Sequence, residues 1–173
     1  MKYSMRRNSL SFRRTCTVKD EGENDLYTVK SPLLSWGTKL NLVDMNGVEQ
    51  AEVCQRLLSF MPAFEISIRR KKLAVVRQKL VLFGDRAIFN LHAEGLKNCV
   101  VNVSFSDREC RFVSEKEIIA SVSAGFFSLT APYDLDILDD EHSIVILAAC
   151  LAIDNVCNRT FADLLKSLEK DQD

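Results

Sequence analysis

Ile144-Val145-Ile146-Leu147-Ala148-Ala149-Cys150-Leu151-Ala152-Ile153 is an unbroken run of ten apolar residues without glycine or proline. Asp139, Asp140 and Glu141 precede it, which suits the positive end of a helix dipole. A helix that is apolar on every side is either buried or crosses a bilayer. Ten residues fall well short of the roughly 18 to 20 that a crossing needs. The run therefore reads as a buried helix, with Ala148, Ala149 and Ala152 keeping it slim. The rest of the chain must supply something to bury it in.

Working outward from the run, a short phrase recurs: an aliphatic residue, a few variable positions, a hydrophobic residue, serine or its stand-in, then usually an aromatic. Copies begin at Met5 (ending Leu10-Ser11-Phe12), Val29 (Leu34-Ser35-Trp36), Val53 (Leu58-Ser59-Phe60), Val76 (Val81-Leu82-Phe83) and Val122 (Phe127-Ser128-Leu129). Their starts lie 24, 24, 23 and 46 residues apart, and the last interval is twice 23. A degenerate sixth copy is expected near residue 99, where Ser104-Phe105 is a faint echo. A fixed period of this size marks a supersecondary unit stacked on itself.

Between the phrases the pattern alternates. Phe64-Glu65-Ile66-Ser67-Ile68 and Tyr133-Asp134-Leu135-Asp136-Ile137 have strict period two, the strand period. Leu40-Asn41-Leu42-Val43 runs into Asp44-Met45-Asn46-Gly47, whose Asn-Gly is a hairpin signal. Each unit of about 23 residues thus holds two strands, and six units give about twelve. A sheet that long is economical only when closed, because closure removes exposed edges. A barrel of about twelve strands is too wide for its own side chains to fill. The expected fold is mainly β: a closed antiparallel barrel of about twelve strands enclosing a central hydrophobic helix. The barrel with its helix (about residues 140–157) takes residues 1–157. Residues 158–173 form a C-terminal tail, with Phe161, Leu164, Leu165 and Leu168 at helical spacing and Thr160 with Asp163 as a capping pair, hence a short amphipathic helix.

At 173 residues and 47% hydrophobic content, the chain fits one domain with a real core. The net charge of −1 makes no demand for nucleic acid or a membrane. Its distribution is uneven: residues 1–79 carry 15 Lys/Arg against 8 Asp/Glu, and residues 80–173 carry 8 against 16, about +7 and −8. The six cysteines are scattered, with no Cys-x-x-Cys, and the two histidines His92 and His142 complete no zinc set with them. The thiols read as reduced and mostly buried, and Met1 to Arg14 lacks the apolar stretch of a secretory signal. The expected location is cytoplasmic. No phosphate-cradling glycine loop is present, and neither a metal nor a cofactor is expected.

The stretches Tyr27 to Glu49 (YTVKSPLLSWGTKLNLVDMNGVE), Ser121 to Ile137 (SVSAGFFSLTAPYDLDI) and Ile146 to Asp154 (ILAACLAID) resemble the LURP-one-related family. That family belongs to the tubby C-terminal-like superfamily, which also contains the phospholipid scramblases. The resemblance spans roughly residues 3 to 156 and rests on the order and spacing of the stretches. It implies a twelve-stranded barrel around a hydrophobic helix, and a non-enzymatic binding module. It further implies recognition of anionic phospholipid or phosphoinositide headgroups, with peripheral membrane association.

Arg69, Arg70, Lys71 and Lys72 sit where a hairpin should turn. Four adjacent cations there could meet lipid phosphates at about 1 kcal/mol each, with Arg13 and Arg14, and also Arg6 and Arg7, adding to the surface. The bland alternative is a solvated turn that blunts a sheet edge. The other functional reading is an intracellular protein-interaction scaffold whose recognition element is the tail helix, through Phe161, Leu164, Leu165 and Leu168. Asp139, Asp140, Glu141 and His142 read as helix-start electrostatics rather than an acid/base or metal cluster. Asp154 reads as the polar anchor of the buried helix. Ser11, Ser35, Ser59 and Ser128 share no histidine partner and read as structural. Phe12, Trp36, Phe60, Phe83 and Phe127 are expected to pack the barrel wall or the helix rather than stack on nucleic acid.

Overall fold

The computed structural model describes residues 1–7, 16–31, 37–81, 85–128 and 131–170, with the backbone only of residue 7 and of residues 159–170. Twelve strands follow one another along the chain: β1 (Lys2–Arg7), β2 (Cys16–Lys19), β3 (Asp25–Lys30), β4 (Lys39–Asp44), β5 (Glu49–Gln55), β6 (Ala63–Ile68), β7 (Lys71–Gln78), β8 (Arg86–Ala93), β9 (Leu96–Ser104), β10 (Glu109–Ser114), β11 (Glu117–Val122) and β12 (Tyr133–Ile137). Each pairs antiparallel with its sequence neighbours. β1 then pairs with β12, Lys2 opposite Asp136 and Met5 opposite Tyr133, which closes the barrel. The Ile137 N–H donates to the Met1 carbonyl at 2.7 Å, one step past that ladder.

Period-two alternation puts one face of every strand in the core. Leu40 and Leu42, Ala51 and Val53, Phe64 and Ile66, Ala74 and Val76, Cys110 and Phe112, and Leu135 and Ile137 are all buried. The residues that start the recurring phrase, Met5, Val29, Val53, Val76 and Val122, are buried on the odd-numbered strands β1, β3, β5, β7 and β11. Each phrase then runs out of its strand into the connection that follows.

Because the strands wind sequentially up and down, the connections alternate between two rims. The lower rim holds the turns β2–β3, β4–β5, β6–β7, β8–β9 and β10–β11, each short. A register shift recurs just before every one of them, at Val18/Lys19, Leu42/Val43, Ile66/Ser67, Leu91/Ala93 and Phe112/Val113. Such bulges sharpen twist and bend a strand, which is how a flat ribbon becomes a cylinder. The expected Asn-Gly hairpin is one of these turns: Gly47 has φ +83°, and the Asp44 carboxylate accepts from the Asn46 and Val48 N–H groups, both at 2.9 Å. The upper rim holds β1–β2, β3–β4, β5–β6, β7–β8, β9–β10 and β11–β12, all but the four-residue β9–β10 turn longer than the lower-rim turns, the last containing a 3-10 turn at Ala124–Phe127.

One helix, α1 (Ser143–Lys170), ends the fold. Every residue from Val145 to Ile153 is buried, and Ile146 to Cys150 have no exposed surface at all. They form one hydrophobic cluster with the buried strand residues, and the helix packs against β5, β6, β7, β8 and β12. The chain thus does not divide into a core helix ending near residue 157 and a separate tail helix. With no glycine or proline between Ser143 and Lys170, nothing interrupts the hydrogen-bond ladder, and the helix is continuous. The side chains of Phe161, Leu164, Leu165 and Leu168 lie outside the described residues.

The expectation that the phrase aromatics pack the core fails at Phe60, which is 93% exposed. It lies five residues past the end of β5, where the alternation that turns side chains inward has stopped. Phe127 does pack against the core, edge-on to Phe105 and Phe126 with ring centroids 5.9 and 5.3 Å apart. Phe12, Trp36 and Phe83 lie outside the described residues.

Candidate functional site

The Arg69-Arg70 pair forms the two-residue turn between β6 and β7, with φ of +51° and +64°. Both residues therefore occupy the left-handed region that such hairpins require and that Asn-Gly fills most easily. Non-glycine residues there carry strain of about 1 kcal/mol each. Arg69, Arg70 and Lys71 are exposed, and among the described residues none has a carboxylate within ion-pair range. Lys72 differs: its Nζ lies 2.6 Å from Glu65 Oε1, which the Arg56 guanidinium also reaches at 2.5 Å. Lys72 and then Arg56 hold the Glu65 carboxyl below its usual range. The basic turn thus presents three available cations rather than four. The turn is solvated, as the bland alternative has it, but a closed barrel has no edge for it to blunt.

Arg13 and Arg14 lie outside the described residues. The strand ends on either side of them, Arg7 and Cys16, belong to the upper rim and not to the rim of the β6–β7 turn. Arg6 is engaged by Glu23 at 2.6 Å.

Two cations overlooked in the sequence extend the basic turn along the same strand. Arg77 points outward near the upper end of β7, opposite Ala63, and Lys79 follows it, its N–H donating to the Ile88 carbonyl at 2.7 Å. Both are exposed, as is Arg86 at the start of β8; among the described residues none of the three has a carboxylate within ion-pair range, although the Ser106 hydrogen bond and, to a smaller extent, Arg86 hold the neighbouring Asp85 carboxyl below its usual range. The β7 wall therefore carries Arg69, Arg70 and Lys71 at its lower end and Arg77 and Lys79 at its upper end. The spacing of Arg77 and Lys79, in phase with the outward positions of β7, is the signal that could have revealed them.

The upper rim next to this wall is apolar. Leu57 is 56%, Leu58 104%, Phe60 93% and Leu80 61% exposed. Their loops are braced together. Gln78 N–H donates to the Pro62 carbonyl at 2.9 Å. The Gln55 amide oxygen accepts from Thr38 N–H at 3.1 Å. Leu57 Cδ2 lies over Gly37, where a Cβ would come within 2.4 Å of it. Thr38 in turn donates through Oγ1 to Asn155 Oδ1 at 3.2 Å, which ties α1 to this rim.

The acidic cluster before the helix does structural work. Asp139 accepts from the His142 backbone N–H at 3.2 Å and lies 2.9 Å from its Nδ1, while His142 Nε2 lies 3.1 Å from the Glu94 carbonyl. The imidazole thus joins the helix start to the β8–β9 turn. Among the described residues no three His, Cys, Asp or Glu side chains are grouped to hold a metal. Asp154 is linked to Asn158, whose Nδ2 donates to it at 2.9 Å. Ser128 accepts from the Ala131 N–H at 3.0 Å. Ser11 and Ser35 lie outside the described residues. No disulfide joins any of the six cysteines, and burial pushes the Cys99 thiol up to about 11 and that of Cys157 to about 12. Buried, protonated thiols are inert as nucleophiles. No helix among the described residues is long and apolar enough to cross a membrane.

The fold defines a class: a sequentially wound, closed twelve-stranded antiparallel barrel with one C-terminal helix that shares its core. The chain belongs to the LURP-one-related family, whose model matches residues 1–154. It is similar to the uncharacterized protein YxjI of Bacillus subtilis (strain 168), with 24% identity over 152 residues that cover 88% of this chain and 91% of that protein. Its fold is similar to that in the X-ray structure of an Arabidopsis thaliana protein, AT5G01750, with a TM-score of 0.61, 14% identity and 91% of each chain covered.

Proposed function

We propose that this chain is a non-enzymatic module that docks on anionic phospholipid surfaces from the cytoplasmic side. The observation that carries the reading is the basic wall along β7. Arg69, Arg70, Lys71, Arg77 and Lys79 are exposed and, among the described residues, without carboxylate partners, on a chain whose net charge is only −1. Cations held near an anionic leaflet contribute about 1 kcal/mol each, within a screening length of roughly 8 Å at physiological salt. The family likeness points the same way.

The helix supports a surface site over an internal one. We read the first turns of α1 as threaded through the barrel, because they are buried on every face and pack against strands on several sides. On that reading the lumen is taken up by Ile146 to Ile153, which favours a site on the outer surface. With four of the six thiols buried and His142 engaged at the helix start, we read the chemistry available as recognition.

Co-sedimentation with phosphatidylserine-containing vesicles, at about 0.05 and 0.5 M salt, tests this. Binding should be strong at low salt, weak at high salt, absent with phosphatidylcholine alone, and reduced by Arg69→Gln, Arg70→Gln, Lys71→Gln together. No binding at low salt would end the proposal.

A second reading is favoured by the continuity of α1, which extends as far as Lys170, well past the buried Cys157. This extension, with Phe161, Leu164, Leu165 and Leu168, would be a recognition helix for a protein partner. Deleting residues 159–173 should then abolish a pull-down partner while the barrel stays folded. Retention of every partner removes this reading.

A further inference from the structure

The upper rim carries a feature that charge alone does not use. Nine large hydrophobic residues are exposed among the described residues, and four of them, Leu57, Leu58, Phe60 and Leu80, stand together on the β5–β6 and β7–β8 connections. Leu58 and Phe60 have essentially their whole side-chain surface in solvent. They are not loose ends. The Arg56 N–H closes the loop base onto Ala63 O at 2.8 Å, and Gln78 N–H fastens Pro62 to β7 at 2.9 Å. A clustered apolar patch on a braced loop is a contact site by ordinary surface statistics.

We infer that the β5–β6 loop is a membrane-insertion element, with Leu57, Leu58, Phe60 and Leu80 entering the acyl region of an anionic bilayer while Arg77, Lys79 and Arg86 meet its phosphates. The inference rests on the lipid-surface reading above and names how that surface is held.

The choice of a bilayer over another occupant follows from shape and charge. The residues protrude from a convex rim, and a bilayer accepts protrusions without a matching pocket. Arg77 and Lys79 lack carboxylate partners among the described residues, and Arg86 has the exposed Asp85 beside it, so cations outnumber the neighbouring acid and complement an anionic surface. A second copy of the chain, docking rim to rim, would set these cations against themselves. The β7 wall leads from this rim to Arg69 and Arg70, so a tilted molecule can dip the loop while that wall follows the headgroups. Burying apolar side chains at an interface adds affinity that salt does not screen, unlike the basic wall.

The test places tryptophan at position 60 (Phe60→Trp, with Trp36→Phe so that the probe is unique) and uses phosphatidylserine vesicles whose phosphatidylcholine is brominated on the acyl chains. Quenching of the probe on binding is expected. In the otherwise unaltered chain, Leu58→Ser with Phe60→Ser should lower vesicle affinity by about a hundredfold, remove the binding that survives high salt, and leave the melting temperature unchanged. Vesicle binding without quenching, or with unchanged affinity of the double variant, overturns insertion and leaves the electrostatic reading standing. Failure of the unaltered protein to bind vesicles sinks both. A shift in light-scattering mass caused by the double variant, with vesicle binding intact, assigns the rim to self-association and also overturns the inference.

Discussion

The two rims of this barrel are built from the same strands and to opposite specifications. At the lower rim every connection is a tight turn preceded by a bulge, and backbone geometry governs what happens there. Seven of the ten described residues with positive φ, Glu23, Gly47, Arg69, Arg70, Gly95, Glu115 and Lys116, sit in these turns. At the upper rim most connections are longer and side chains are released from the alternation, so Leu57, Leu58 and Phe60 can face water. Backbone curvature is concentrated at one end, and exposed apolar side chains at the other. Substitutions at the lower rim should therefore change stability, with Arg69 to Lys71 changing binding as well, and those at the upper rim should change binding alone.

The largest expected effect concerns the core on which both rims stand. Thiols kept neutral by burial have folded pKa values above their unfolded ones, so their stabilisation is complete below the unfolded value near 9 and is lost as pH rises through the folded values. With Cys99 at about 11, Cys157 at about 12, and Cys110 and Cys150 also raised, stability in reducing buffer should drop progressively above pH 9. Thermal melts at pH 8 and 10.5 measure it, and a flat profile would mean the thiols are not held as described.

Next in size is Gly95→Ala at the lower rim. A Cβ there would come within 2.6 Å of His142 Nε2, and φ is already +82°. A loss of about 2–3 kcal/mol is expected in urea titration. Gly47→Ala has the same unfavourable φ and open space around it, so it should lose only about 1 kcal/mol. Equal losses would show that the His142 contact does not matter. In the other direction, Arg69→Asn with Arg70→Gly should relieve the left-handed strain and stabilise the barrel by about 1–2 kcal/mol, while weakening anionic vesicle binding. The smallest effect belongs to the upper rim: Phe60→Ser should shift stability by no more than about 0.5 kcal/mol. A larger loss would place Phe60 in the packing after all and erase the distinction between the rims.

Much of the architecture is legible in the residues. The alternation in Phe64 to Ile68 and Tyr133 to Ile137, the Asn-Gly turn and the apolar run at Ile144 are local signals, and local periodicity decides them. The site is less legible for physical reasons. Arg69-Arg70 contains neither glycine nor asparagine, so its left-handed turn is imposed by the neighbouring ladders. The loss of Lys72 to Glu65 depends on register across β6 and β7. The exposure of Phe60 depends on where β5 ends, a boundary that hydrophobicity does not mark. The continuity of α1 was obscured by a change of pattern from all-apolar to amphipathic at Asp154, although no residue there breaks a helix.

The β1–β12 ladder has a consequence for how the molecule comes into being. The Ile137 N–H donates to the Met1 carbonyl at 2.7 Å, across 136 positions of chain. Within the barrel the first strand to be made thus waits, unmatched on one side, for the last. Until that seam forms, each nascent hairpin is an open ribbon with a greasy face, and the most apolar decapeptide is still to be synthesised. Eleven of the twelve ladders join consecutive strands and can form locally, but closing so distant a seam is the slow step, which leaves these newborn ribbons dependent on whatever shields them until the final stave arrives.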